Sequence, residues 1–252
     1  MSTPAFAGRH VLVTGGSRGI GRAAALRLAS EGADVSINYL SRPEPALETL
    51  SQIKAFGVRG IAIAGDVALP EAARDIAAQA RAALGPIDIL VHCAGYSIVE
   101  PPDEVTWETW KQTMNVNLDG TFNMIYAVKD DMLARRFGRI ITTSSVAALR
   151  PRKNQVHYSA SKAAVIAMTR CLAEGWAASN VRVNCVCPGL TETEMSYALS
   201  PEARQNVIAQ TPLGRIGEPE EIANVIRFLA SEESSFMTGQ TLVACGGRVM
   251  IP

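Results

Sequence analysis

Residues 157–162 read HYSASK and set a phenol and an ammonium, Tyr158 and Lys162, four positions apart. On a helix that spacing brings both side chains to one face. A free phenol titrates near about 10 and is a poor proton carrier at neutral pH. A cation about 4 Å away, at an effective dielectric of about 20, is worth up to about 4 kcal/mol, or about three pKa units toward phenolate. Shifted in this way, Tyr158 would give or take a proton near neutrality, as general acid–base catalysis requires. Ser145 lies thirteen residues upstream, just past the apolar run RIITTS, where it can hold an oxyanion developing on a carbonyl. Singly, the three read as a surface aromatic, a solvated charge and a helix cap. In this order they point to proton transfer at a carbonyl oxygen.

Carbonyl reduction needs a hydride source, and the segment TGGSRGIG (14–21) is suited to holding one. It lies between the strand-like HVLVT and the helix-forming RAAALRLAS, the context that separates a dinucleotide loop from a plain tight turn. Gly15, Gly19 and Gly21 let the backbone turn sharply and approach a pyrophosphate, and the following helix offers its free amides to the anion. An acid at the end of the second strand would bind the adenosine ribose of NAD and repel a 2′-phosphate. The run VSINYLSR (35–42) has none. Ser41, Arg42 and the loop residue Arg18 can instead meet a phosphate, which favours NADP, used as NADPH, over NAD. The alternative for Arg42 is a solvated turn. Asp66, in GDV, is placed to accept a hydrogen bond from the adenine amine, and Gly95, in HCAG, lets the chain pass close to the cofactor. Ser17, Ile20, Tyr39, Val67, Cys93 and Ala94 flank these positions and join the expected cofactor contacts.

Positioning these groups requires strands that end on one side of a sheet. Apolar runs at 10–14, 34–38, 60–64, 88–92, 139–144, 181–186 and 240–244 read as strands. Alanine-rich stretches at 21–31, 70–84, 158–178 and 218–231 read as helices, and 107–136 as one more. The alternation predicts an α/β fold, a doubly wound Rossmann-type parallel sheet of about seven strands with helices on both faces. No linker or repeat divides the chain, so 1–252 reads as a single domain. The irregular stretch 188–217 is the candidate substrate lid.

Composition narrows the class further. The 24 basic and 24 acidic side chains cancel, leaving no positive field for nucleic acid and no basic tract for a membrane surface. The N-terminus MSTPAFAGRH lacks a secretory pattern and no run of about 18 apolar residues occurs, so the chain reads as cytoplasmic. The five cysteines are an odd number and scattered, which argues against a disulfide framework. Cys185 and Cys187 lack metal-ligand spacing and read as buried apolar residues; no metal site is expected.

The motifs TGGSRGIG, GDV, HCAG, NVNLDG, YSASK and PGLTET, together with Ser145, resemble those of the short-chain dehydrogenase/reductase family in its compact single-domain branch, over essentially the whole chain. The resemblance implies an NAD(P)-dependent oxidoreductase in which Ser145 polarises the carbonyl and Tyr158 donates the proton. Lys162 would lower the Tyr158 pKa and bind the nicotinamide ribose, and Asn117 would hold a water linking Lys162 to solvent. Pro188, Gly189, Thr191 and Thr193 would flank the nicotinamide, with Thr193 on its carboxamide. One departure is HCAG where the family has NNAG; the loop backbone is expected to survive the loss of two side-chain amides.

Within the family, SRGIGRA, GRIITTSS and GQTLVACGGRVM are most similar to 3-oxoacyl-(acyl-carrier-protein) reductases, NADPH enzymes that dock an acidic carrier protein through arginines. Arg136 matches one such arginine; the other position is Ser179, and Glu174 adds a like charge that opposes an acidic carrier. The rival reading is a reductase of a free small molecule such as a sugar, polyol, steroid or other ketone. Tyr96, Ile98, Leu149, Met195 and Tyr197 are the candidate apolar substrate contacts. Arg150, Arg152 and Lys153 could draw an anionic substrate or form a solvated loop. A non-catalytic NADP-binding regulator is the third reading. The helices at 107–136 and 158–178 resemble the family's subunit-packing pair, which implies a homotetramer.

Overall fold

The computed structural model describes residues 4–250; the first three residues of the N-terminal stretch and the last two of the chain lie outside the described residues. Seven parallel strands form one sheet: β1 (His10–Thr14), β2 (Asp34–Tyr39), β3 (Gly60–Ala64), β4 (Ile89–His92), β5 (Gly138–Thr143), β6 (Val181–Pro188) and β7 (Thr241–Ala244). Their order is β3-β2-β1-β4-β5-β6-β7. The winding direction reverses between β1 and β4, and ligands of open α/β sheets bind in the crevice at such a switch point. Every residue of β1 and β6 is buried, as expected for strands covered on both faces.

The connecting helices are α1 (Gly19–Ser30), α2 (Pro43–Ala55), α3 (Pro70–Leu84), α4 (Trp107–Met114), α5 (Gly120–Arg135), α6 (Val156–Trp176), α7 (Pro201–Ala209) and α8 (Pro219–Ala230). Side chains alternate along the strands into two cores. Val11, Val35, Val91 and Ile141 pack with Leu28 of α1 and Ile226 of α8 on one face. Leu12, Leu90, Ile140 and Val183 pack with Ile76 of α3 and Met124 and Val128 of α5 on the other.

Two expectations are corrected, and one helix is added. The stretch 107–136 is not one regular helix: a π-helical turn, Asn115–Asp119, separates α4 from α5, and such turns concentrate at functional sites. The helix α2 escapes a propensity reading because PEPALETLSQIKA opens with two prolines; Pro43 occupies the first turn, where a missing N–H costs nothing. The stretch 188–217 is not irregular throughout, because it carries a short 3-10 turn, Glu194–Ala198, and α7, which Ser200 caps by accepting the Ala203 amide. Among the described residues no helix is long and apolar enough to cross a membrane. No cluster of three metal-ligating side chains occurs among them either. Cys185 and Cys187 are fully buried on β6 against Ile166.

Candidate active site

A cleft of about 1350 Å³ opens at the C-terminal ends of β1 and β4, more than the roughly 300–1,000 Å³ that one drug-sized ligand occupies. The glycine loop forms its floor. Gly15 adopts φ +62°, and a Cβ there would lie 3.0 Å from the Ala94 backbone; a Cβ on Gly21 would meet the Gly15 carbonyl at 2.2 Å. Only glycine lets these two segments touch. The adjoining HCAG loop is held by Thr14, whose Oγ1 accepts the amides of Cys93 and Ala94, both at 3.2 Å. The Thr14 hydroxyl proton is thereby directed to His92 Nδ1 at 2.9 Å, which leaves the His92 proton on Nε2. Burial, and after it the nearby Lys162 charge, push the His92 imidazole down to about 3, so it stays neutral. Thr14 thus ties the backbone and the histidine of this loop to the end of β1.

Helix α6 brings Tyr158 and Lys162 to one face, beside the end of β5. The Ser144 hydroxyl donates to the Lys162 carbonyl at 2.7 Å, and Lys162 Nζ donates to the Thr143 carbonyl at 2.9 Å. The ammonium is buried and lies 5.8 Å from the centroid of the Tyr158 ring. Burial lowers it to about 8. The expected acidification of Tyr158 by this lysine is not what the fold provides. Burial holds the phenol above its ordinary value, and the opposing influences are the nearby Ser145 hydroxyl and the charge of Arg152. The reason is geometric: the ammonium is drawn to the Thr143 carbonyl rather than seated at the phenol. Ser145 also accepts the Ala147 amide at 3.1 Å, which fixes the orientation of its hydroxyl.

Asn117 sits within the π-helical turn, fully buried. Its Oδ1 accepts the Tyr96 amide at 2.8 Å, and its Nδ2 donates to the Tyr96 carbonyl at 2.9 Å and to Ser161 Oγ at 3.1 Å. Ser161 in turn donates to the Tyr158 carbonyl at 2.8 Å. The amide is therefore a brace between the HCAG loop and α6, not a group left free for a water, and it stands behind the cleft wall rather than on it.

At the far end of the cleft, Arg18 and Arg42 both donate to one carboxylate oxygen, Oε2 of Glu194, the Arg42 bond being 2.7 Å. Two guanidinium groups that converge on a single oxygen can share one phosphate. Asp66 accepts the Ala68 amide at 2.9 Å and shapes the turn after β3. Thr193 packs over Gly19, within 3.1 Å of where a Cβ would be. All the residues expected to contact the cofactor border this one cleft, as do Ser145, Tyr96 and Met195. Leu149 does not; it is packed against the cluster of Ile166, Cys185 and Cys187, because the 3-10 turn Val146–Ala148 carries it away from the opening. Tyr197 stands exposed outside the cleft.

Sequence reasoning missed several supports. His157, fully buried, accepts the Tyr158 amide on Nδ1 at 2.7 Å and gives its Nε2 proton to Glu100 at 3.0 Å. Glu100 also accepts Thr109 Oγ1 at 2.6 Å, and its amide donates to the Asn154 carbonyl at 3.1 Å. These bonds tie the loop after β4 to the residues just ahead of Tyr158. The histidine beside the tyrosine was the available signal, but its partner lies 57 positions away.

A family model described as enoyl-(acyl carrier protein) reductase matches residues 15–248. The 3-oxoacyl-[acyl-carrier-protein] reductase of Staphylococcus epidermidis is 37% identical over 242 residues, covering 96% of this chain and 99% of its own. The acetoacetyl-CoA reductase of Rhizobium meliloti is 41% identical over 243 residues, covering 95% and 98%. Among solved structures, a short-chain type dehydrogenase/reductase from Mycobacterium ulcerans superposes with a TM-score of 0.92 at 32% identity, covering 97% of this chain and 90% of the other.

Proposed function

The chain belongs to the short-chain dehydrogenase/reductase family of NAD(P)-dependent oxidoreductases, and we propose that it reduces the keto group of a 3-oxoacyl thioester to a secondary alcohol. NADPH, when bound in the cleft, supplies the hydride. Arg18, Arg42 and Ser41 would hold its 2′-phosphate, Asp66 its adenine, and Pro188, Gly189, Thr191 and Thr193 the nicotinamide end. Lys162 spends one N–H on Thr143 and keeps the others for the ribose hydroxyls. The observation that carries the reading is the grouping of Ser145, Tyr158 and Lys162 at the mouth of a glycine-floored cleft.

Reduction needs the phenol in its protonated form. Burial holds Tyr158 above its ordinary value, so it is protonated at neutral pH. The Ser145 hydroxyl polarises the carbonyl and steadies the oxyanion that forms on it. As the proton leaves Tyr158, the Arg152 charge stabilises the phenolate left behind. The segment 188–217 would act as the lid that excludes water, with Met195 and Tyr96 against the acyl chain.

The names of the relatives support a thioester substrate, on an acyl carrier protein or coenzyme A. A specific observation favours the second reading, a free small-molecule ketone: Arg136 is turned to the Ala178 carbonyl, and its neighbour in the docking position is the uncharged Ser179. Assembly as a homotetramer is supported by the aromatics exposed along α5, Phe122 stacked on Tyr126 at 4.0 Å with Trp176 at its edge. The decisive experiment is Tyr158→Phe: NADPH binding is retained while turnover of acetoacetyl-CoA is abolished, and persistent turnover refutes the mechanism. No rate with any thioester, alongside reduction of simple ketones, would reject the thioester assignment.

A further inference from the structure

The loop that joins Ser145 to Tyr158 carries Arg150 and Arg152, and the C-terminal segment brings Arg248 beside it. Arg152 is half-buried and borders the cleft together with Tyr158 and Ser145. Its guanidinium makes neither a hydrogen bond nor an ion pair among the described residues. Arg248 is also half-buried; it donates to Gln210 Oε1 at 3.0 Å, its Nε is buried without a partner, and its carbonyl accepts Arg150 Nη1 at 3.5 Å. Burial and then Arg150 press the Arg152 charge down, and burial, Arg152 and Arg150 do the same to Arg248. Among the described residues no carboxylate acts on either; the opposing influences are Tyr158 on Arg152 and Cys245 on Arg248. Elsewhere in the molecule, neighbouring arginines share an acid: Arg139 and Arg182 share Glu232, and Arg18 and Arg42 share Glu194.

A cluster of partly desolvated like charges with no counter-charge is costly unless an anion completes it. Guanidinium forks match the two-oxygen edge of phosphate and carboxylate. We propose that Arg152, backed by Arg150 and Arg248, forms an oxyanion site that receives a negatively charged group carried by the substrate itself, a phosphate or a carboxylate. The inference rests on the reading of the cleft as a carbonyl reductase and adds the chemistry of the substrate's other end. A phosphate would come from the handle of a thioester, a carboxylate from a free keto acid. The site is separate from the Arg18 and Arg42 pair assigned to the cofactor.

Two measurements test it. In the first, protein saturated with NADPH, so that Arg18 and Arg42 are occupied, is titrated calorimetrically with inorganic phosphate and with acetate. Saturable binding of at least one is expected, lost in Arg152→Gln. In the second, kcat/KM is compared within two pairs: acetoacetyl-CoA against the N-acetylcysteamine thioester, and acetoacetate against ethyl acetoacetate. The charged member of one pair is expected to lead, and Arg152→Gln and Arg248→Gln to shrink that lead by about tenfold; which pair responds separates phosphate from carboxylate. If ethyl acetoacetate is reduced but neither anion binds, the oxyanion site is overturned and the reductase reading stands. Binding without any preference for charged substrates overturns it as well. If an anion binds at Arg152 while no ketone is reduced, the site stands and the reductase reading fails.

Discussion

Replacing Lys162 by methionine should make the protein more stable at neutral pH while removing its activity. The lowering of the Lys162 ammonium from 10.5 to about 8, at about 1.4 kcal/mol per unit, means that keeping the amine charged in the fold costs roughly 3 kcal/mol. Methionine avoids that cost but leaves the Thr143 carbonyl without its 2.9 Å donor, a loss of about 1–3 kcal/mol. The net expectation at pH 7 is a gain of about 0–2 kcal/mol. The sign of the pH dependence follows from linkage. The folded value lies below the unfolded one, so between about 8 and 10.5 the unfolded chain holds more protons and wild-type stability rises with pH. The penalty is fully present below about 8 and gone above 10.5. Urea unfolding of both proteins, at equal concentration and several pH values from 7 to 11, isolates this group, because other titrations cancel in the difference. The variant leads at pH 7 and the wild type overtakes it in alkali, while turnover by the variant falls by at least about 10²-fold. A stability difference that stays flat with pH, or a variant weaker at pH 7, would refute the account of a buried, destabilising ammonium.

Glu194→Gln frees Arg18 and Arg42, and since exposed ion pairs are worth up to about 1 kcal/mol, the Kd for NADPH should fall by up to about fivefold with NADH unchanged, as read by nicotinamide fluorescence. Weaker NADPH binding would mean that the carboxylate helps rather than competes. His157→Phe strands both the Glu100 carboxylate and the Tyr158 amide and should destabilise by about 2–4 kcal/mol in urea unfolding, more than Glu100→Gln, which keeps an acceptor for the imidazole. Equal losses would argue against the histidine as the centre of that network. Gly21→Ala should abolish NADPH binding, because its Cβ would meet the Gly15 carbonyl at 2.2 Å, whereas Gly175→Ala in α6, with open space around it, should raise stability by about 0.5–1 kcal/mol.

Much of the architecture was legible along the chain. Strands buried on both faces read as unbroken apolar runs, so β1 and β3 fall at 10–14 and 60–64 as expected, and α3 at 70–84 is bounded by Pro70 and by Gly85 at φ +92°. The exceptions have local causes. The prolines opening α2 and α7 look like breakers when they are first-turn residues. The π-helical turn at Asn115–Asp119 leaves no periodicity signature in five residues.

The sequence alone determined which groups could do the chemistry, because a phenol and an ammonium one helical turn apart share a face in any helix. It also determined that glycine must lie where two backbones touch. Only the tertiary structure decided what those groups experience. Lys162 meets the Thr143 carbonyl, Tyr158 stays protonated under burial, and Glu194, distant in sequence, sits on the arginines meant for a phosphate. Leu149 faces the core rather than the cleft, and Arg152 borders the cleft with no carboxylate acting on it among the described residues. Burial and long-range partners set the energy of a charge, and neither is encoded in the spacing of neighbours along a chain.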